Sequence, residues 1–241
     1  MKKYELTNET VVVNGRKLFR VKALVDIKSQ NIKINNLGGF VESEKNLSHT
    51  GDAWVSENAL VFGNAMISEN AFVSGNALVS GDARVSGNAL VSENASIFEG
   101  ARVFEGARVS GNARVSGNAR VFENAWVSGD AFVSWDAFVS GDARVSGNAS
   151  VFENAWVSEN ALVFRDALIF ENAWVSGDAR VSGNARVSGN AWVFGNAWVS
   201  RDARVSENAL VSGNVSVSGN AWVSGDAFVS GNADKTVDND D

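Results

Sequence analysis

Apolar and polar positions along this chain recur with a period of six. From Gly51 to Thr236 the sequence divides into 31 consecutive hexads with no residue inserted or lost, and Gly111 to Phe122, GNARVSGNARVF, shows two of them. The third position is Ala everywhere except Val215, and the fifth is Val or Ile everywhere except Lys235. Until the last hexad, the fourth position varies among Trp, Phe, Leu, Arg, Ser and Met, and the sixth is Ser or Phe. Apolar, variable, apolar is the in, out, in alternation of a very short strand. The first two positions are mostly Gly-Asn, Gly-Asp or Glu-Asn, residue types that turn the chain. Three residues of strand and three of turn, repeated, predict a solenoid.

The Asp residues at the second position indicate how many hexads close a coil. They fall at Asp52, Asp82, Asp130, Asp136, Asp142, Asp166, Asp178, Asp202 and Asp226, and no two are 18 apart. In a three-sided coil of 18 residues, positions that far apart stack at about 4.8 Å, where paired carboxylates repel. Asn in the intervening levels is suited to amide ladders. The pattern predicts about ten coils, a prism about 50 Å long, and a core of stacked Ala and Val too narrow for a ligand.

The ends break the pattern. Residues 1–50 predict a β-hairpin cap and an irregular first coil, with Val11–Val13 and Leu18–Val21 joined at an Asn14-Gly15 turn. Residues 37–48 fit the hexads loosely, leaving His49-Thr50 as a two-residue offset before the regular body at 51–234. Residues 235–241, KTVDNDD, form an acidic tail expected to discourage end-to-end strand pairing.

The unit Val-Ser-Gly-Asn-Ala-Arg resembles the hexapeptide motif of the left-handed parallel β-helix superfamily. The period itself does not set the hand; the resemblance implies the left one. Tyr4-Glu5-Leu6-Thr7, Asn14-Gly15-Arg16, Arg20-Val21-Lys22-Ala23-Leu24 and Leu37-Gly38-Gly39-Phe40-Val41-Glu42, followed by Asn46-Leu47-Ser48, resemble the leader of bacterial and phage YdcK-like hexapeptide proteins. The expected fold is therefore all-β, a single-stranded left-handed parallel β-helix with an N-terminal hairpin cap.

Composition narrows the chemistry. Many members of the superfamily are acyltransferases with a His base and loops extruded from the coils, so the resemblance implies a transferase-like fold. Here no hexad carries an insertion, and His49 is the one His of the chain. A catalytic base must be titratable and within reach of its substrate, and His49 reads more simply as a polar residue in the offset. The related zinc-dependent carbonic anhydrases need three His. The absence of Cys removes thiolate nucleophiles and thiolate metal sites. The Glu105/Glu123 and Glu153/Glu171 pairs read as solvated corners, and Asp alternating with Asn is a thin calcium ligand set. Only four Thr disfavour an ice-binding surface. No catalytic residue, metal or cofactor is expected, and the reading leans away from an enzyme.

Net charge is −7. Residues 1–50 hold 9 Lys and Arg against 5 Asp and Glu, and residues 51–241 hold 12 against 23. So acidic a repeat body predicts no nucleic-acid partner. Lys2 and Lys3 have no apolar run behind them and no stretch is long enough to span a bilayer, so a soluble, cytoplasmic protein without membrane contact is expected.

The fourth position carries the candidate site. Read every third hexad, one column runs Met66, Arg84, Arg102, Arg120, Phe138, Trp156, Trp174, Trp192, Leu210, Phe228. The other two columns mix the same residue types without such runs. An outward apolar strip of this size marks an interface or a stacking platform. Phe138, Trp156, Trp174, Trp192, Leu210 and Phe228, with Arg84, Arg102 and Arg120, are the candidate binding residues. Homo-oligomer formation, a glycan or protein partner, and drift after hexad duplication all fit. The leading expectation is a non-catalytic scaffold that associates through this face; a hexapeptide acyltransferase and a glycan-binding surface are the alternatives.

Overall fold

A computed structural model describes residues 2–231, and the expected acidic tail and Lys235 lie outside the described residues. The chain divides into two compact units, Met1–Glu123 and Asn124–Asp241.

The first unit begins with strands β1 (Tyr4–Val13) and β2 (Arg16–Ala23), paired antiparallel as Val13 opposite Arg16 and Tyr4 opposite Ala23. Asn14 and Gly15 join them with φ of 51° and 75°, as the Asn-Gly pair predicts for a tight hairpin. Strand β3 (Leu37–Val41) lies antiparallel to β2 and parallel to Leu60–Val61, so it passes the hairpin's pairing on to the coils. Phe40 faces Leu60 and Leu47 bridges to Ile67. Each of these steps is two residues longer than a coil, which is the expected offset at His49-Thr50.

Twelve strands then run from Trp54–Val55 to Arg120–Val121. They are two residues long, shorter than the three expected, and cover the fourth and fifth hexad positions. Within this unit, strands three hexads apart pair in parallel, giving three walls. One holds Trp54, Phe72, Leu90 and Arg108. A second holds Leu60, Leu78, Ser96 and Arg114. The third holds Met66, Arg84, Arg102 and Arg120.

The second unit repeats the arrangement with strands from Trp126–Val127 to Phe228–Gly231. One wall of it is Phe138, Trp156, Trp174, Trp192, Leu210 and Phe228. The fold is an all-β parallel solenoid of 18-residue coils with an antiparallel hairpin at its start.

The Ala and Val positions explain the regularity. Ala71, Val73, Ala161 and Val163 are all 0% exposed, as are nearly all their counterparts. A small and a branched side chain at each level fill an interior with no room for a larger pair, so substitution is confined to the outward position.

Candidate association surface

The corners hold the walls in register. At the second hexad position, Asn side chains form ladders between coils. Asn76 Nδ2 donates to Asn94 Oδ1 at 3.2 Å, and Asn172 to Asn190 at 3.2 Å. Where Asp occurs, the Asn one coil earlier donates to it: Asn64 to Asp82, Asn148 to Asp166 and Asn184 to Asp202, each at 2.9 Å. An Asp in both places would leave two acceptors and no donor, which accounts for the missing 18-residue Asp spacing.

The first position departs from the sequence reading. Glu57, Glu93 and Glu159 have φ near +60°, a left-handed backbone that disfavours a side chain. Each carboxylate accepts the backbone N–H one coil later, from Gly75 at 2.7 Å, Gly111 at 2.6 Å and Gly177 at 2.7 Å. Glu105 likewise accepts from Glu123 N–H at 3.0 Å, and Glu171 from Gly189. The corner glutamates at these positions are backbone acceptors as well as solvated surface, because the sharp turn leaves that N–H without a strand partner. The signal was present in sequence: Glu57, Glu69, Glu93, Glu99, Glu159 and Glu171 are each followed one coil later by Gly.

On these corners stands the aromatic wall. Phe138 and Trp156 stack with centroids 5.0 Å apart and planes at 20°, and Trp156 and Trp174 at 5.2 Å and 15°. Trp174 and Trp192 are 5.0 Å apart but tilted by 54°. The Trp174 indole N–H donates to Ser158 Oγ at 3.3 Å, which fixes its rotamer. Stacked along the wall, Trp156 and Trp174 cover one another's faces and turn their edges outward. Trp192 is 47% exposed and Phe228 64%.

Arg84, Arg102 and Arg120 form a column in the first unit and are exposed. Among the described residues neither the Arg84 nor the Arg102 side chain has an ion pair, hydrogen bond or ring contact, while both backbones are paired within the wall. Each unit thus brings its own part of the predicted set onto one wall, arginines in the first and aromatics in the second.

His49 sits in the cap. Its ring stacks on Tyr4 at 4.2 Å, its Nδ1 accepts the Lys3 backbone N–H at 3.3 Å, and its Nε2 lies 3.7 Å from Glu44 Oε2. Tyr4 Oη donates to Leu47 O at 2.7 Å, and burial pushes its pKa up, with Glu44 adding to the effect. The Lys3 ammonium donates to Gly51 O at 3.1 Å and Ala53 O at 2.7 Å. Burial lowers its pKa to about 8, against an opposing pull from Asp52. A hydrogen bond from Lys2 holds the Glu44 carboxyl below its usual range. The groove beside the cap is lined by Arg16, Glu42, Lys45, Phe62, Asn64 and Asp82, and His49 is not part of it. Among the described residues no three His, Cys, Asp or Glu side chains gather as a metal site, and no helix is long and apolar enough to cross a membrane.

No curated relative matches the chain in sequence. Among solved structures, LpxA from Acinetobacter baumannii is similar at 12% identity and a TM-score of 0.46, over 67% of this chain and 69% of that one. UDP-N-acetylglucosamine acyltransferase from Arabidopsis is similar at 13% identity and a TM-score of 0.36, over 64% and 69%. The Campylobacter jejuni UDP-N-acetylglucosamine acyltransferase is similar at 15% identity and a TM-score of 0.28, over 61% and 66%. The YdcK β-solenoid repeat family matches residues 71–85, 83–97, 107–117, 113–129, 137–153, 143–159, 179–195 and 185–201. Over those residues the coils are similar to YdcK β-solenoid repeats.

Proposed function

We propose that this chain is a non-catalytic scaffold that associates through its aromatic wall. The observation that carries the proposal is the stacked column from Phe138 to Trp192, continued by Leu210 and Phe228 on the same wall, which turns apolar ring edges to solvent at successive coils. Exposed apolar strips of this kind are ordinarily covered in an assembly. A glycan platform needs open ring faces for sugar C–H groups, and at Trp156 and Trp174 the faces are taken by neighbouring rings. An acyltransferase needs a base beside a groove for its acyl donor; His49 is engaged by Tyr4 and Lys3 away from the groove at Arg16 and Lys45. The test is solution mass by light scattering for the native chain and for Trp156→Ser with Trp174→Ser. Ser already occupies the outward position at Ser96, Ser150 and Ser216, so the fold is expected to survive. The native chain is expected to be oligomeric and the double variant to lose that mass. An oligomer unchanged by both substitutions would place association elsewhere.

A further inference from the structure

We propose that a cleft on the second unit, between the wall of Trp198 and the corner beside it, binds a carboxylated polysaccharide. The site lies on a different wall from the aromatic column and does not depend on association there. Its volume is about 290 Å³, near the lower end for small-molecule clefts, and Arg165, Gly183, Trp198, Arg201 and four serines line it. No carboxylate is among them. Asp166 and Asp202, next in the chain to the two arginines, line a separate cleft with Arg186 and Arg204.

Both arginines are unusual for their position. Glycine or glutamate opens every hexad from Gly51 to Gly231 except at Trp135, Arg165 and Arg201. Arg165 and Arg201 have φ of 65° and 60°, the left-handed backbone that disfavours a side chain. A corner glutamate offsets that strain by accepting the backbone N–H one coil later, whereas a guanidinium has no acceptor to offer. Among the described residues neither arginine makes an ion pair, and Arg165 alone of the two has a ring contact, its guanidinium 5.9 Å from the Phe164 centroid. Gly183 stands between them in the column, so the two charges flank bare backbone.

Trp198 supplies what the aromatic column lacks, an open ring face. Its indole N–H donates to Ser182 Oγ at 3.3 Å, which fixes the ring. Its neighbours along the wall are Arg180 and Ser216, no ring stacks on it, and it is 47% exposed. A sugar ring presents C–H groups to such a face. Sugar hydroxyls suit Ser200, Ser216 and Ser218, whose side chains both donate and accept. The arginines stand two coils, or about 10 Å, apart along the corner, which suits carboxylates repeated along a polymer better than the adjoining charges of a diphosphate.

The test is calorimetric titration of the full chain with hexagalacturonate, with neutral cellohexaose and inorganic phosphate as comparison probes. Hexagalacturonate is expected to bind, more weakly as salt rises, and neither comparison probe to bind or compete. Arg165→Gly with Arg201→Gly gives this corner the residue of its other levels, Gly147, Gly183 and Gly219, and Trp198→Ser repeats the outward serine of Ser216. Both variants are therefore expected to stay folded and to keep the native solution mass. Each is expected to weaken hexagalacturonate binding at least about tenfold. A native chain that does not bind it overturns the proposal, as does binding undiminished in either variant. Displacement by phosphate at equal concentration would make this a simple anion site and overturn the polysaccharide reading. Equal binding of cellohexaose would overturn the role of the arginines.

Discussion

At the corner of a coil, one residue must take a left-handed backbone and at the same time lie against the coil above. Gly75 has φ +68°, and a Cβ there would sit 2.6 Å from Glu93 N. Gly15, at φ +75° in the hairpin turn, would place a Cβ in open space. Gly15→Ala is therefore expected to cost about 1 kcal/mol, the backbone strain alone, and Gly75→Ala about 2–4 kcal/mol because the coils must also part. Glu93→Ala is expected to cost about 1 kcal/mol by removing the carboxylate that accepts Gly111 N–H at 2.6 Å. Denaturant midpoints of the three variants would check that order. Residue by residue, the buried Ala and Val and the outward fourth position were legible from alternation alone, except at Trp54, whose fourth-position side chain is fully buried. The acceptor role of the corner glutamates was missed although the Gly one coil later marked it, because an exposed carboxylate reads first as solvated surface.

Among the elements, the hairpin and its offset were legible because Asn14-Gly15 specifies a turn and the hexads shift by two residues at His49-Thr50. The burial of Lys3 was not, since nothing in the order Met1-Lys2-Lys3-Tyr4 says which lysine turns inward. It is 5% exposed and bound to two carbonyls. Its pKa, about 8 when folded, returns towards 10.5 on unfolding, so between those values the unfolded chain binds more protons. Stability of the cap therefore rises with pH across that window. Tyr4 acts oppositely: burial holds its hydroxyl protonated, so unfolding releases a proton above about pH 10 and stability falls there. Thermal melts from pH 7 to 11 are expected to show a rise and then a fall for the native chain. Lys3→Met is expected to remove the rise and leave the fall.

For the whole molecule, the period was legible because one solution to packing and turning is reused at every level. The stacking geometry of the indoles was not, since a column of Trp in sequence is compatible with faces or edges turned outward. Because the third and fifth positions are alike on every wall, deleting the hexad Gly147–Phe152 is expected to leave a folded solenoid whose melting point changes little. It would carry Phe138 onto a different wall from Trp156 and abolish their stacking. Deleting Gly147 alone would turn every downstream core side chain outward over the next strand and is expected to lower the melting point far more; circular dichroism melts with Trp emission would check both. The ladders also bear on how the protein ages. Deamidation of an asparagine begins when the following peptide nitrogen attacks the side-chain carbonyl. In the coils both groups are engaged: the Asn76 side-chain carbonyl accepts from Asn58 Nδ2 at 3.3 Å, and Ala77 N–H donates to Ser74 O at 3.3 Å. Asn14 instead precedes an unhindered glycine on an exposed turn. Chemical ageing should therefore begin at the tip of the hairpin and leave the long amide rows of the coils until last.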